Sequence, residues 1–215
     1  DLETSLAIAV KALKCEKPEL LGTEEVEDAD WVRITQAQFQ PTQVSDRLWI
    51  VPTWHDLPNE DAINVRLDPG VAFGTGSHPT THLCLQWLDA NVKATDRVLD
   101  YGCGTGILAI AAAHMGARDV LAIDLDAVAV RVAKENVENN GFAGVIRVQQ
   151  GDLLDHVDEA ADVVVANIIA DVIIALCGPV KRHILPGGIF ICSGIAREKK
   201  GEVVAALEAA GYENL

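Results

Sequence analysis

The segment Asp100-Tyr101-Gly102-Cys103-Gly104-Thr105-Gly106 brings an acid and three alternating glycines to one point of the chain. Glycines at 102, 104 and 106 allow a tight turn and let a ligand approach main-chain N–H groups closely. A dinucleotide loop of the form G-x-G-x-x-G needs glycine or alanine at 107, where this chain has Ile107. A phosphate-cradling G-x-x-x-x-G-K-[ST] loop is absent too: Gly70 is followed five residues later by Thr75, and that segment holds no lysine. The neighbouring acids narrow the ligand further. Asp124, 24 residues beyond Asp100, can accept from two adjacent ribose hydroxyls, and Asp152 from the exocyclic amine of adenine. Asp100 can face an ammonium group directly or through water. Each acid alone is equally a cap or turn residue, but three at successive strand ends argue for a ligand. Asn167, in Asn167-Ile168-Ile169-Ala170, offers its side-chain carbonyl, with the next backbone carbonyl, to orient an amine; the alternative is a helix cap.

Those residues need a scaffold of strands with helices between them. From Arg97 onward, short β-branched runs alternate with helical patterns: Arg97–Tyr101, Val120–Asp124, Val145–Gln149, Val163–Asn167 and Ile189–Ser193. This alternation predicts a doubly wound α/β fold, a mainly parallel sheet with helices on both faces. Gly106–Met115 reads as the helix after the first of these strands, and Asp126 as the cap of a helix running to about Asn139 with Gly141 as its stop. Gly178-Pro179 should break the helix that follows Asn167. Upstream, Arg47–Val51 and Ile63–Leu67 look like strands flanking a Pro- and Asp-rich turn, before the irregular loop 68–76. Ser77 reads as an N-cap with Pro79 in the first turn, and Leu83, Cys84, Trp87 and Leu88 as one apolar stripe. The helical spacing of Leu2, Leu6, Val10 and Leu13, followed by an acidic run, predicts a linker over 1–27 and a catalytic domain over 28–215.

Composition excludes several function classes. With 17 Lys and Arg against 32 Asp and Glu, the formal charge is −15, which repels phosphate backbones and so disfavours direct nucleic-acid contact; it suits either a cationic partner such as a basic protein or plain solubility, and charge alone does not choose between those two. The five scattered cysteines suggest buried thiols in a reducing, cytoplasmic setting. The longest apolar stretch, Val163–Cys177, is interrupted by Asn167 and Asp171, too soon to span a bilayer. His78 and His82 stand four apart, but no third metal ligand of matching spacing accompanies them, so no metal is expected. Trp31, Trp49, Trp54 and Trp87 are read as packing residues. The chain starts without Met, and both ends read as cut from a longer one.

The strand-terminal acid followed by G-x-G-x-G resembles the first motif of the Rossmann-like methyltransferases, which implies S-adenosylmethionine as the cofactor. Methyltransferases acting on planar amines carry a motif like Asn-Pro-Pro-Tyr where this chain has Asn167-Ile-Ile-Ala; without prolines and aromatic, a slender alkyl amine is the better fit. Leu67-Asp-Pro-Gly-Val-Ala-Phe-Gly-Thr-Gly-Ser-His-Pro-Thr-Thr81, with Arg47-Leu-Trp-Ile-Val-Pro and Trp31, Phe39 and Pro41, resembles the bacterial methyltransferase family that modifies large-subunit ribosomal protein eleven. That resemblance covers roughly residues 28 to 211. It implies a sheet of the seven-stranded methyltransferase type, truncated at the carboxyl end, preceded by a recognition domain of which only a connecting helix is present. It also implies that Phe73, Thr75 and Gly76 cover the cofactor's methionine end, with Thr105 beside it. The expected activity is methylation of lysine and amino-terminal amines of that ribosomal protein by a monomer. A nucleic-acid amino-methyltransferase and a non-catalytic cofactor-binding domain stand as alternatives.

Overall fold

The computed structural model describes residues 39–68, 76, 78–151 and 159–215; residues 39–215 belong to one compact unit. The linker 1–27 and its boundary, Trp31, Phe73, Thr75, Ser77 and Asp152 lie outside the described residues.

Among the described residues, the strands form two sheets. β1 (Thr42–Gln43), β2 (Leu48–Pro52) and β3 (Ile63–Leu67) form a small one. The main sheet contains β4 (Arg97–Tyr101), β5 (Asp119–Asp124), β6 (Ile146–Gln150), β7 (Ala161–Asn167) and β8 (Ile184–Ser193), in the order β6-β5-β4-β7-β8. All four pairings are parallel. The chain thus winds outward from β4 in both directions, and the point where the direction reverses lies between β4 and β7, which is where open α/β sheets leave a ligand crevice.

The helices follow from local chemistry. α1 (Pro79–Asn91) starts with Pro at its first position, and its N-cap is His78, whose Nδ1 accepts from the Thr80 amide at 3.3 Å. This corrects the expectation of a Ser77 cap: proline fixes the first helical position, so the residue just before it takes the cap. α2 (Ile107–His114) is apolar all round, and Ile107 to Ala113 are all buried, as befits a helix covered on every side. α3 (Ala127–Asn139) is capped by Asp126, whose Oδ1 accepts from the Val128 amide at 2.8 Å. α4 (Ala170–Leu176) ends before Gly178-Pro179, which open a 3₁₀ turn, and α5 is Lys200–Ala209. One apolar core joins α1, α2 and α3 to Val98, Val120, Val163 and Val165 of the sheet and to Leu48, Ile50, Val65 and Leu67 of the small sheet. The opposite face, with Leu99, Tyr101, Leu121, Ile123 and Val164, packs against Leu176 and Val180.

Two further expectations change. The buried stripe of α1 is Thr81, Cys84, Leu85 and Leu88, while Leu83 is 63% exposed. The segment between β2 and β3 is a crossover rather than a turn, because those strands run parallel. Residues 53–62 make it without a helix, pinned by the Arg66 guanidinium, which donates to the Thr53 and His55 carbonyls, and by the Asn64 amide, which donates to Asn59 and Ala62.

Candidate functional site

The carboxyl ends of β4, β5 and β7 converge on the switch point, each with one polar side chain. Asp100, the penultimate residue of β4, is 1% exposed. Its Oδ2 accepts from the Ala109 amide at 3.1 Å, the third amide of α2, and so supplies the cap that Gly106, the N-cap residue, lacks. Its Oδ1 is buried without a hydrogen-bond partner. Burial, with a smaller contribution from the negative charge of Asp124, pushes the Asp100 carboxyl up to about 7, against the pull of the Ala109 amide. None of the ion pairs among the described residues reaches Asp100 or Asp124; the Arg147 pairs with Asp119 and Glu159 sit at the other end of the sheet. Among the described residues, the Asp100 carboxyl therefore has no cationic partner.

The glycine loop is held in detail. The Gly102 and Cys103 amides donate to the Ile123 carbonyl at 2.9 and 3.0 Å. The Gly104 amide donates to Asp124 Oδ2 at 2.9 Å, and the Gly106 amide to the Cys103 carbonyl at 2.8 Å. Gly102 and Gly106 have φ of 68° and 79°, in the left-handed region that favours glycine. Space demands it as well: a Cβ on Gly102 would overlap Ile168 Cγ2, and one on Gly106 would lie 3.2 Å from Ala133 Cβ. Thr105 is fully buried. Asp124 is half-buried at the end of β5, its Oδ1 accepting from the Asp126 amide at 3.0 Å. Its carboxylate therefore fastens the glycine loop while keeping further lone pairs for hydroxyl donors. Gly76 is buried, and a Cβ there would lie 3.1 Å from both Ile107 Cδ1 and Ile50 Cγ1, so Gly76 itself abuts the start of α2.

Asn167 ends β7 on the same sheet face as Asp100, since Val163 and Val165 share the core of Val98 and Asp100 pairs with Val165. Its Nδ2 donates to Thr81 Oγ1 at 2.9 Å, while its Oδ1 is buried and unpartnered. The residue capping α4 is Ile169, without a side-chain hydrogen bond, so Asn167 is not spent as a helix cap. Two open acceptors thus stand at the ends of adjacent strands. Thiol chemistry is not on offer nearby: Cys84 is pushed up to about 11 and Cys103 well above its ordinary value, both mainly by burial, so both stay protonated at neutral pH.

The sequence-level candidates Asp100, Gly102, Gly104, Thr105, Gly106, Asp124, Asn167 and Gly76 are brought together here. Sequence reasoning missed Thr81, whose hydroxyl orients the Asn167 amide, and Ile168, which fills the space left above Gly102. A polar residue on the buried stripe of α1 was the available signal for Thr81. Among the described residues, no group of three or more His, Cys, Asp or Glu is arranged to hold a metal.

The chain matches the family described as Ribosomal protein L11 methyltransferase (PrmA) over residues 2–215. It is 47% identical over 205 residues to the ribosomal protein L11 methyltransferase of Dechloromonas aromatica (strain RCB), covering 95% of this chain and 68% of the relative. With the enzyme of the same name from Laribacter hongkongensis (strain HLHK9) it shares 47% identity over 214 residues, or 99% and 71% of the two chains. The crystal structure of a ribosomal protein L11 methylase from Lactobacillus delbrueckii subsp. bulgaricus aligns with a TM-score of 0.75 at 36% identity, over 80% of this chain and 89% of that one. The chain spans about two thirds of the length of these curated relatives. With its acid-flanked glycine loop at the switch point of a parallel sheet, this chain belongs to the ribosomal protein L11 methyltransferase family.

Proposed function

We propose that this chain transfers methyl groups from S-adenosylmethionine to lysine side-chain and amino-terminal amines of ribosomal protein L11. The observation that supports this reading best is the pair of open acceptors, Asp100 Oδ1 and Asn167 Oδ1, buried on one sheet face at neighbouring strand ends. Asp100 faces the ammonium of the cofactor's methionine part, and Asp124 accepts from the ribose hydroxyls. Asp152 takes the adenine amine, while Phe73, Thr75 and Gly76 cover the methionine end with Thr105 beside it. When bound, S-adenosylmethionine supplies an electrophilic methyl on a sulfonium centre.

Asn167 Oδ1 then accepts a hydrogen bond from the attacking amine and aims its lone pair at the methyl, so catalysis rests on alignment. The amine must be neutral to attack. A free lysine titrates at about 10.4, and desolvation beside a positive sulfonium lowers that value. Its proton leaves to solvent before the transfer. With Asp100 and Asp124 holding the cofactor and Asn167 holding the amine in line, S-adenosylmethionine would supply the methyl, the C–S bond breaking with its electron pair to sulfur as the C–N bond forms, and S-adenosylhomocysteine would remain. The formal charge of −15 favours encounter with a basic protein and disfavours direct nucleic-acid contact. The chain works as a monomer in the cytoplasm; no helix among the described residues is long and apolar enough to cross a membrane.

Incubation with methyl-labelled cofactor, ribosomal proteins and total RNA tests this reading. Label is expected on L11, with mass increments at lysine and amino-terminal sites. Label on RNA alone, or none on L11, would overturn it.

A further inference from the structure

We propose that Asn136, a buried helix residue outside the pocket, is a positioning residue for the cofactor site, holding the glycine loop and the end of β3 in one fixed relation. The proposal rests on the reading of the glycine loop as the S-adenosylmethionine site. Asn136 is 0% exposed. Its Nδ2 donates to the carbonyls of Asp68 and Thr105, both at 3.0 Å, and its Oδ1 accepts from the Asp68 amide at 2.8 Å. Both amide hydrogens and one acceptor site are therefore used, a nearly complete inventory for this side chain.

One turn later, Asn140 repeats part of the pattern. Its Oδ1 accepts from the Arg66 amide at 2.9 Å, and its Nδ2 donates to the Arg66 carbonyl at 2.6 Å and the Asn136 carbonyl at 2.7 Å. Four residues of helix rise about 6 Å and two residues of strand about 6.8 Å. Asn136 on α3 and Asn140 at its C-cap, spaced by four, can therefore pair with alternate residues at the end of β3, Asp68 just past it and Arg66 within it, replacing a neighbouring strand. Docking β3 onto α3 is common to both. Only Asn136 reaches on to Thr105.

That reach controls one peptide group. The Thr105–Gly106 peptide is held at its N–H by the Cys103 carbonyl and at its C=O by Asn136. Gly106 is glycine in the left-handed region, so little intrinsic stiffness resists rotation of this peptide. Gly106 also marks the start of α2, whose third amide, that of Ala109, donates to Asp100. Loss of the Asn136 amide removes this donor from the buried Thr105 carbonyl, which favours reorientation of the loop.

Comparison of Asn136→Ala with Asn140→Ala in the whole chain separates this role from simple docking, with Asn136→Ser replacing Asn136→Ala if the latter does not fold. The measurements are S-adenosylhomocysteine affinity by calorimetry, thermal unfolding, and hydrogen exchange of the Gly104 and Gly106 amides by NMR. Both substitutions should lower the unfolding temperature. Asn136→Ala should also weaken S-adenosylhomocysteine about tenfold and speed Gly106 exchange, while Asn140→Ala stays within about twofold of the parent in both. Equal losses in the two variants, or unchanged affinity and exchange in a folded Asn136 variant, would overturn the proposal. If the parent chain itself does not bind S-adenosylhomocysteine, the cofactor reading fails, and Gly106 exchange alone then decides: faster in the Asn136 variant only, or the positioning role is wrong.

Discussion

The two halves of the site are built differently. At the glycine loop, the Gly102, Cys103, Gly104 and Gly106 amides are all bonded to neighbouring groups, Asp100 caps α2 and Asn136 holds the Thr105 carbonyl. At Asn167, one hydrogen bond to Thr81 sets the side chain, and two residues later Ile169 is 67% exposed. A cofactor of constant shape suits a rigid cradle whose donors and acceptors are fixed beforehand. An amine arriving on different segments of a protein suits a sparse site, where one fixed acceptor sets direction and the surroundings stay open. Affinity should therefore depend mainly on the first half and turnover mainly on the second.

Substitutions that break this division should differ in which quantity they move. The largest effect is expected for Asn167→Ala: single-turnover methyl transfer should fall about tenfold to a thousandfold while S-adenosylhomocysteine affinity stays nearly unchanged. Parent-like turnover would remove Asn167 from the chemistry, and a large affinity loss would move it into the cofactor pocket. Next comes Asp100→Asn, which deletes a charged acceptor for the ammonium. It should cost about 1.5–3 kcal/mol of cofactor binding by calorimetry. The same change should raise the unfolding temperature at pH 8. Because the folded carboxyl titrates near 7, above its unfolded value, its ionisation lowers stability as pH rises toward that value, and a neutral amide escapes the cost. A variant that loses both stability and affinity would recast Asp100 as a purely structural cap. The smallest effect is expected for Thr81→Val, which keeps shape and removes the hydroxyl that fixes the Asn167 amide. Turnover should fall about threefold to tenfold at unchanged cofactor affinity, since about one hydrogen bond of orientation is lost. Unchanged single-turnover kinetics would show that the Asn167 amide is oriented without Thr81.

The sequence carried the rigid half better than the sparse one, for physical reasons. β4, β5 and β7 are nearly continuous runs of branched apolar residues, buried on both faces, so their positions and the polar residues at their ends, Asp100, Asp124 and Asn167, could be read directly. Asp126 announced its helix because capping is a local interaction over two residues. The stripe of α1 was misjudged at Leu83 because hydrophobicity does not say which way a side chain points; the small sheet and β7 decide that. The pairing of Thr81 with Asn167 and of Asn136 with Thr105 could not be read, because these partners lie 86 and 31 residues apart and only the fold brings them within reach. The parallel pairing of β2 and β3 escaped for a similar reason. A short polar connection looks the same in sequence whether it turns back or crosses over, and the bonds of Arg66 and Asn64 that shape it are visible only once folded.

The central claim is that Asp100 presents a buried, open carboxylate to the ammonium of the bound cofactor. It is tested most directly by calorimetric titration of S-adenosylhomocysteine between pH 5.5 and 8.5, in pairs of buffers with different ionisation enthalpies. In the free protein this carboxyl titrates near 7, and a facing ammonium lowers it. Binding below pH 7 should then release close to one proton, with affinity rising as pH rises toward about 7 and levelling off above it, and Asp100→Asn should abolish both. Affinity independent of pH across this range, with no proton released, would contradict it.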